Sequence, residues 1–166
     1  LKKVVLRRPA VLWLSIEASV LPSLAALQEL LGLSKAELKK VVLRLPSVLS
    51  LSIKANVLPS LSALQERLEL SDAELKKVVL GSPAVLGYSI KANVLPKLDW
   101  LQKEMGLNLA GIRERVIQCP SLLDWSLEKR YCPRLKLCRM AHAPAITVLN
   151  HIKMRDSRFN KSIFRT

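Results

Sequence analysis

Four prolines, Pro9, Pro46, Pro83 and Pro120, recur every 37 residues, and Pro22, Pro59, Pro96 and Pro133 keep the same interval in a second series. A two-helix unit of that length cannot bury its apolar face alone, so neighbouring units must stack and share one core. The expected fold class is therefore all-α, a helical-repeat solenoid whose function belongs to a surface more than to a pocket. The rows run 1–37, 38–74, 75–111 and 112–148, and the first two share LKKVVLR, VLPSL and ALQE in register. The fourth keeps both prolines while its polar positions drift. Its register fades after Arg139, so residues 1–139 read as the repeats and 140–166 as a C-terminal cap and basic tail.

Within a unit the chemistry is local. Ser34-Lys35-Ala36-Glu37 and Ser71-Asp72-Ala73-Glu74 are capping boxes, in which a hydroxyl and a carboxylate satisfy the free N–H groups of a helix start. Leu38, Val41, Val42 and Leu45 follow at the spacing of a buried helical stripe. Pro46 ends that helix, and Pro46-Ser47-Val48-Leu49 is expected to form a tight turn or a single 3₁₀ turn. A second helix carries Leu58, Leu61, Leu64 and Leu68 on one face, with Ser52 capping a lead-in turn and Pro59 confined to the opening turn or a kink. Gly32 and Gly106 sit where a left-handed residue closes the helix, but Glu69 holds that place in the second repeat, so looser closure is expected there.

Composition narrows the function. Apolar runs are interrupted every few residues, which excludes the roughly 20 uninterrupted apolar residues of a membrane span. The three cysteines, Cys119, Cys132 and Cys138, are too few and too oddly numbered for a disulfide framework and suit a reducing or neutral compartment. With His142 they are potential metal ligands, but no CxxC pair occurs, so no metal or other cofactor is expected. Cys132 aligns with Leu58 and Leu95 and reads as a small core residue. No Ser/His/Asp set, carboxylate pair or glycine-rich phosphate loop is present, and an enzyme is not expected. Because the chain opens inside a repeat at Leu1 without Met, it reads as a fragment.

Net charge is +14, and seventeen Lys and Arg face twelve Asp and Glu in residues 1–128 against ten facing one beyond. Such an excess favours a polyanionic partner, nucleic acid first and an acidic membrane surface second. Lys3/Arg7, Lys40/Arg44 and Lys77 with Gly81 fall on the solvent stripe of successive first helices, a ladder suited to regularly spaced phosphates. Lys54 and Lys91 share the start of the second helix, where Glu17 and Glu128 stand in the outer rows. Lys97 and Arg134 share the position after the second proline. The strongest contact region is expected at Lys129, Arg130, Arg134, Lys136 and Arg139. Trp125 and Tyr131 align with apolar positions and are expected to pack, Tyr131 with its hydroxyl at the rim.

The text PxVLxxSIxxNVLPxLxxLQ, in Pro46 to Gln65 and Pro83 to Gln102, closely resembles the mitochondrial transcription termination factor (mTERF) repeat. SLEKRYCPRL, Ser126 to Leu135, resembles the last repeat of plant and algal members, and RDSRFNKS, Arg155 to Ser162, is similar to the family's usual ending. The resemblance implies a curved left-handed superhelix with a basic concave side, in mitochondria or chloroplasts, acting on double-stranded DNA or structured RNA in transcription, termination or RNA metabolism. The near-identity of the first three repeats argues against a base-by-base code, because identical side chains cannot read different bases. A monomer is expected. The alternative is a helical scaffold that binds a protein partner in an organellar ribosome or RNA-processing assembly.

Overall fold

The computed structural model describes residues 20–164; Pro9, Lys3, Arg7 and Glu17 lie outside them. The described residues contain helices and turns and no strand. Helix α1 spans Leu21–Leu31, α2 Lys35–Arg44, α3 Leu58–Leu68, α4 Asp72–Gly81, α5 Leu95–Met105, α6 Leu109–Gln118, α7 Cys132–Met140, α8 Thr147–Asn150 and α9 Asp156–Ile163. The first helices of successive units, α2, α4 and α6, stack on one another, and α1 packs on α4 as α3 does on α6.

Both capping boxes form: the Glu37 N–H donates to the Ser34 hydroxyl while the Glu37 carboxylate accepts from the Ser34 N–H at 2.8 Å. Ser71 and Glu74 repeat the pair, and Asn108 takes over as cap in the fourth unit. Helices α2, α4 and α6 each end two residues before a proline, and 3₁₀ turns follow at Pro46–Ser50, Pro83–Gly87 and Pro120–Leu123.

Ahead of α3, α5 and α7 lies one π turn each, Ile53–Val57, Ile90–Val94 and Leu127–Tyr131, capped by the Ser52, Ser89 and Ser126 hydroxyls. The second-series proline sits just beyond each of these turns. A proline ring clashes with the carbonyl four residues back and supplies no N–H, and widening the turn by one residue relieves both. This extra residue shifts the phase of the apolar stripe. Val57 and Val94 are fully buried, whereas Leu58 is 41% exposed and Cys132 is also exposed, contrary to the core positions expected for them. Beyond the turn the expected stripe holds: Leu61, Leu64 and Leu98 are at most 1% exposed.

Glu69 does not loosen its helix end. Its φ of 51° matches the 56° of Gly32, and the Leu70 N–H reaches the Gln65 carbonyl at 2.9 Å as Leu33 reaches Gln28. The same closure is made by a residue with a Cβ, at the steric cost that a left-handed conformation carries.

The C-terminal segment is a packed cap through Ile163. Val148, Ile152, Phe159 and Ile163 are buried, and α8 and α9 pack on α7.

Candidate nucleic-acid interface

The cations expected to contact a polyanion divide into two groups. Lys40 on α2, Lys77 on α4, Lys54 and Lys91 in the lead-in turns, and Lys129 and Lys136 near α7 are exposed, and their ammonium groups carry no hydrogen bond or ion pair among the described residues. Arg44, Lys97, Arg130, Arg134 and Arg139 are engaged within the protein.

Arg134 is the clearest correction. Only 2% exposed, its guanidinium donates to the carbonyls of His151, Ile152 and Met154, meets the Asp156 carboxylate at 2.7 Å and lies 4.4 Å over the Phe159 ring. Arg130 reaches the Ile152 and Met154 carbonyls and stacks 3.8 Å over Trp125. Arginine's planar fork suits such carbonyl clusters, and these two side chains bolt the cap to the fourth unit. Lys97, at Arg134's position one unit earlier, is 3% exposed and donates to the Leu123 carbonyl. Burial pushes its pKa below the usual lysine value, with Asp124 pulling the other way. None of the three offers its charge to a ligand.

Arg44 crosses one junction to donate to the Leu80 and Gly81 carbonyls at 2.8 and 3.0 Å, the negative end of α4. In the second rung of the expected ladder Arg44 is therefore a helix cap, while Lys40 stays exposed. Arg139 is 67% exposed in its side chain but paired with Glu104. The rim position expected for the Tyr131 hydroxyl is also corrected: it is buried and donates to the Leu122 carbonyl at 2.7 Å. Trp125 is half-buried, its indole N–H without a partner.

Exposed cations that sequence reasoning did not single out stand on the cap: Lys153, Arg155, Arg158 and Lys161. The charge count beyond residue 128 signalled them collectively. The amphipathic pattern of α9, with Phe159 and Ile163 inward, is what turns Arg158 and Lys161 outward.

Two surface grooves recur with the repeat. One, of about 390 Å³, is lined by Leu51, Asn56, Ser60, Gly87, Tyr88 and Lys91. The next, of about 290 Å³, is lined by Tyr88, Asn93, Lys97, Asp124, Trp125 and Glu128, the same six positions moved by one unit. Asp124 accepts from the Ser82 and Tyr88 hydroxyls, and burial followed by that carboxylate's charge pushes the Tyr88 phenol up to about 12. Cys119, Cys132 and Cys138 are free thiols, and among the described residues no three His, Cys, Asp or Glu side chains converge as metal ligands would. No helix among those residues is long and apolar enough to cross a membrane.

Comparison with curated proteins returns no match. The mTERF family model matches residues 1–160, almost the whole chain, with the recurring helix, 3₁₀ turn and π-opened helix beneath it, and the protein therefore belongs to the mTERF family.

Proposed function

We propose that the protein binds the sugar–phosphate backbone of organellar nucleic acid, double-stranded DNA or structured RNA, with little sequence preference, in mitochondria or chloroplasts. The family is one of helical-repeat nucleic-acid-binding proteins, not generally enzymes, which supports a role in organellar gene expression. The observation that carries the reading is the pairing of Lys40 with Lys77 and of Lys54 with Lys91. Each pair holds one position in successive units, exposed and without an internal partner. Cations repeated at a fixed step suit a polyanion whose charges also repeat, and identical repeats suit a backbone more than a base sequence. Lys129, Lys136 and the cap's Lys153, Arg155, Arg158 and Lys161 add a second basic area.

The test is a salt-titrated anisotropy measurement with Lys40, Lys54, Lys77 and Lys91 changed together to Ala. Affinity should fall alike for all sequences, and the slope of log K against log salt should flatten by roughly three units. An unchanged slope with an intact helical spectrum would transfer the function to the protein-partner scaffold.

A further inference from the structure

The two recurring grooves are built alike but charged oppositely. Between the second and third units the groove is lined by Lys91 with no carboxylate. One unit on, Gly87 has become Asp124 and Lys91 has become Glu128, while the added Lys97 turns inward to a carbonyl. The first-helix row makes the same change on its own: Lys40 and Lys77 are succeeded by Glu114 on α6. Two rows on different elements thus turn from cation to carboxylate at the same unit.

Neighbouring cations do not cancel this. Arg113 is paired with Glu74 at 2.7 Å, Arg115 donates to Asn150, and Arg130 is held on Trp125 and the cap carbonyls. Lys129, beside Glu128, is the exposed cation left in that lead-in turn. Glu114 is exposed with only a Gln118 amide on it, and Glu128 is exposed without a partner among the described residues. Carboxylates on a phosphate's path repel it as strongly as the lysines attract it.

We propose that the fourth unit is the boundary of the nucleic-acid track. The phosphate backbone follows the lysine rows over the second and third units and is turned away at Glu114, Asp124 and Glu128, which separate that track from the basic cap. This rests on the backbone-binding reading above and adds to it where the bound strand stops.

The experiment uses the full chain with Glu114→Lys, Glu128→Lys, the double variant, and Glu66→Lys as a control that adds the same charge on α3, outside both rows. Lysine already occupies the first two positions in the preceding units, so the fold accepts it there. Binding is followed by anisotropy on a fluorescein-labelled DNA duplex and an RNA hairpin, each long enough to span three units. The double variant should bind about three- to tenfold tighter at low salt, its slope steeper by roughly 0.7–0.9 per reversal, with the Glu66→Lys protein close to wild type. A gain in the Glu66→Lys protein equal to that of either single reversal would reduce the effect to net charge and overturn the boundary. Unchanged affinity in the double variant, with wild type binding both probes, would overturn it while leaving the backbone reading intact. Failure of wild type to show salt-dependent binding to either probe would remove both.

Discussion

A Cβ on Gly81 would stand 2.5 Å from the Cγ of Pro120, so the last residue of α4 and the first-series proline of the next unit touch where a side chain has been omitted. Arg44 fills this position one unit earlier, and its guanidinium now rests on the Gly81 carbonyl. The departure from the repeat is thus a packing requirement. Restoring the repeat with Gly81→Arg should destabilise by about 1–3 kcal/mol through overpacking. Gly81→Ala should bring no gain, because the roughly 1 kcal/mol of helix propensity is offset by the same clash. Urea midpoints of the two variants check this, and a stabilised Gly81→Ala would refute it.

Arg134→Ala should cost about 2–5 kcal/mol, since three carbonyls and a carboxylate lose a buried charged donor. Limited proteolysis should then release the segment after Met140. Arg134→Lys should recover only part of the loss, because an ammonium cannot span the same fork. An intact, protease-resistant Arg134→Ala protein with weakened nucleic-acid binding would restore the contact role expected from sequence.

At Glu69 the left-handed backbone points the other way. Replacing it with Gly should stabilise the protein by roughly 0.5–1 kcal/mol, the relieved strain exceeding glycine's extra chain entropy. Thermal melts of Glu69→Gly against wild type decide it, and a lowered Tm would mean that the helix end is not strained.

Two carboxylates make stability depend on acid. The Ser34 N–H, then Lys76 and the Ser34 hydroxyl, hold Glu37 at about 2 in place of 4.5. Arg113, then the Ser71 N–H and hydroxyl, hold Glu74 at about 2. The unfolded chain takes up these protons first, so the stabilisation is complete above about 4.5 and is lost as pH falls towards about 2. A Glu37→Gln/Glu74→Gln protein should lose stability less steeply across that window, measured by denaturant midpoints. Parallel pH profiles would refute the assignment.

The residues legible in the sequence were those whose partners lie within one turn. Ser34 and Glu37, Pro46 and its 3₁₀ turn, and Ser52 before its lead-in are settled by neighbours in the chain. Leu58 and Cys132 fall outside the buried stripe because a single π turn moves it by one residue, a shift that spacing alone does not announce. For Arg130 and Arg134 the sequence points to phosphate, because charge states what a side chain attracts and not where its end lies. Their carbonyl partners sit 17 to 24 residues away on a cap whose packing only the fold reveals. Lys97 is alike: it stands where Ser60 stands one unit earlier, and the half-burial of that position belongs to the fold and not to the spacing.

The cross-junction ion pairs have a mechanical side. Glu37 meets Lys76 at 3.0 Å, Glu74 meets Arg113 at 2.7 Å and Arg67 meets Asp99 at 2.8 Å, each joining one unit to the next. Units connected end to end behave as springs in series, whose compliances add, so a small softening at every junction becomes an appreciable flexing of the whole array. Each pair has at least one half-buried partner and holds its charges within 3.0 Å, well inside the Debye length of about 8–10 Å at ordinary ionic strength, so salt screens it little. The junction ties therefore hold largely independently of salt, and the compliance of the array is set by the packing and pairing at each junction.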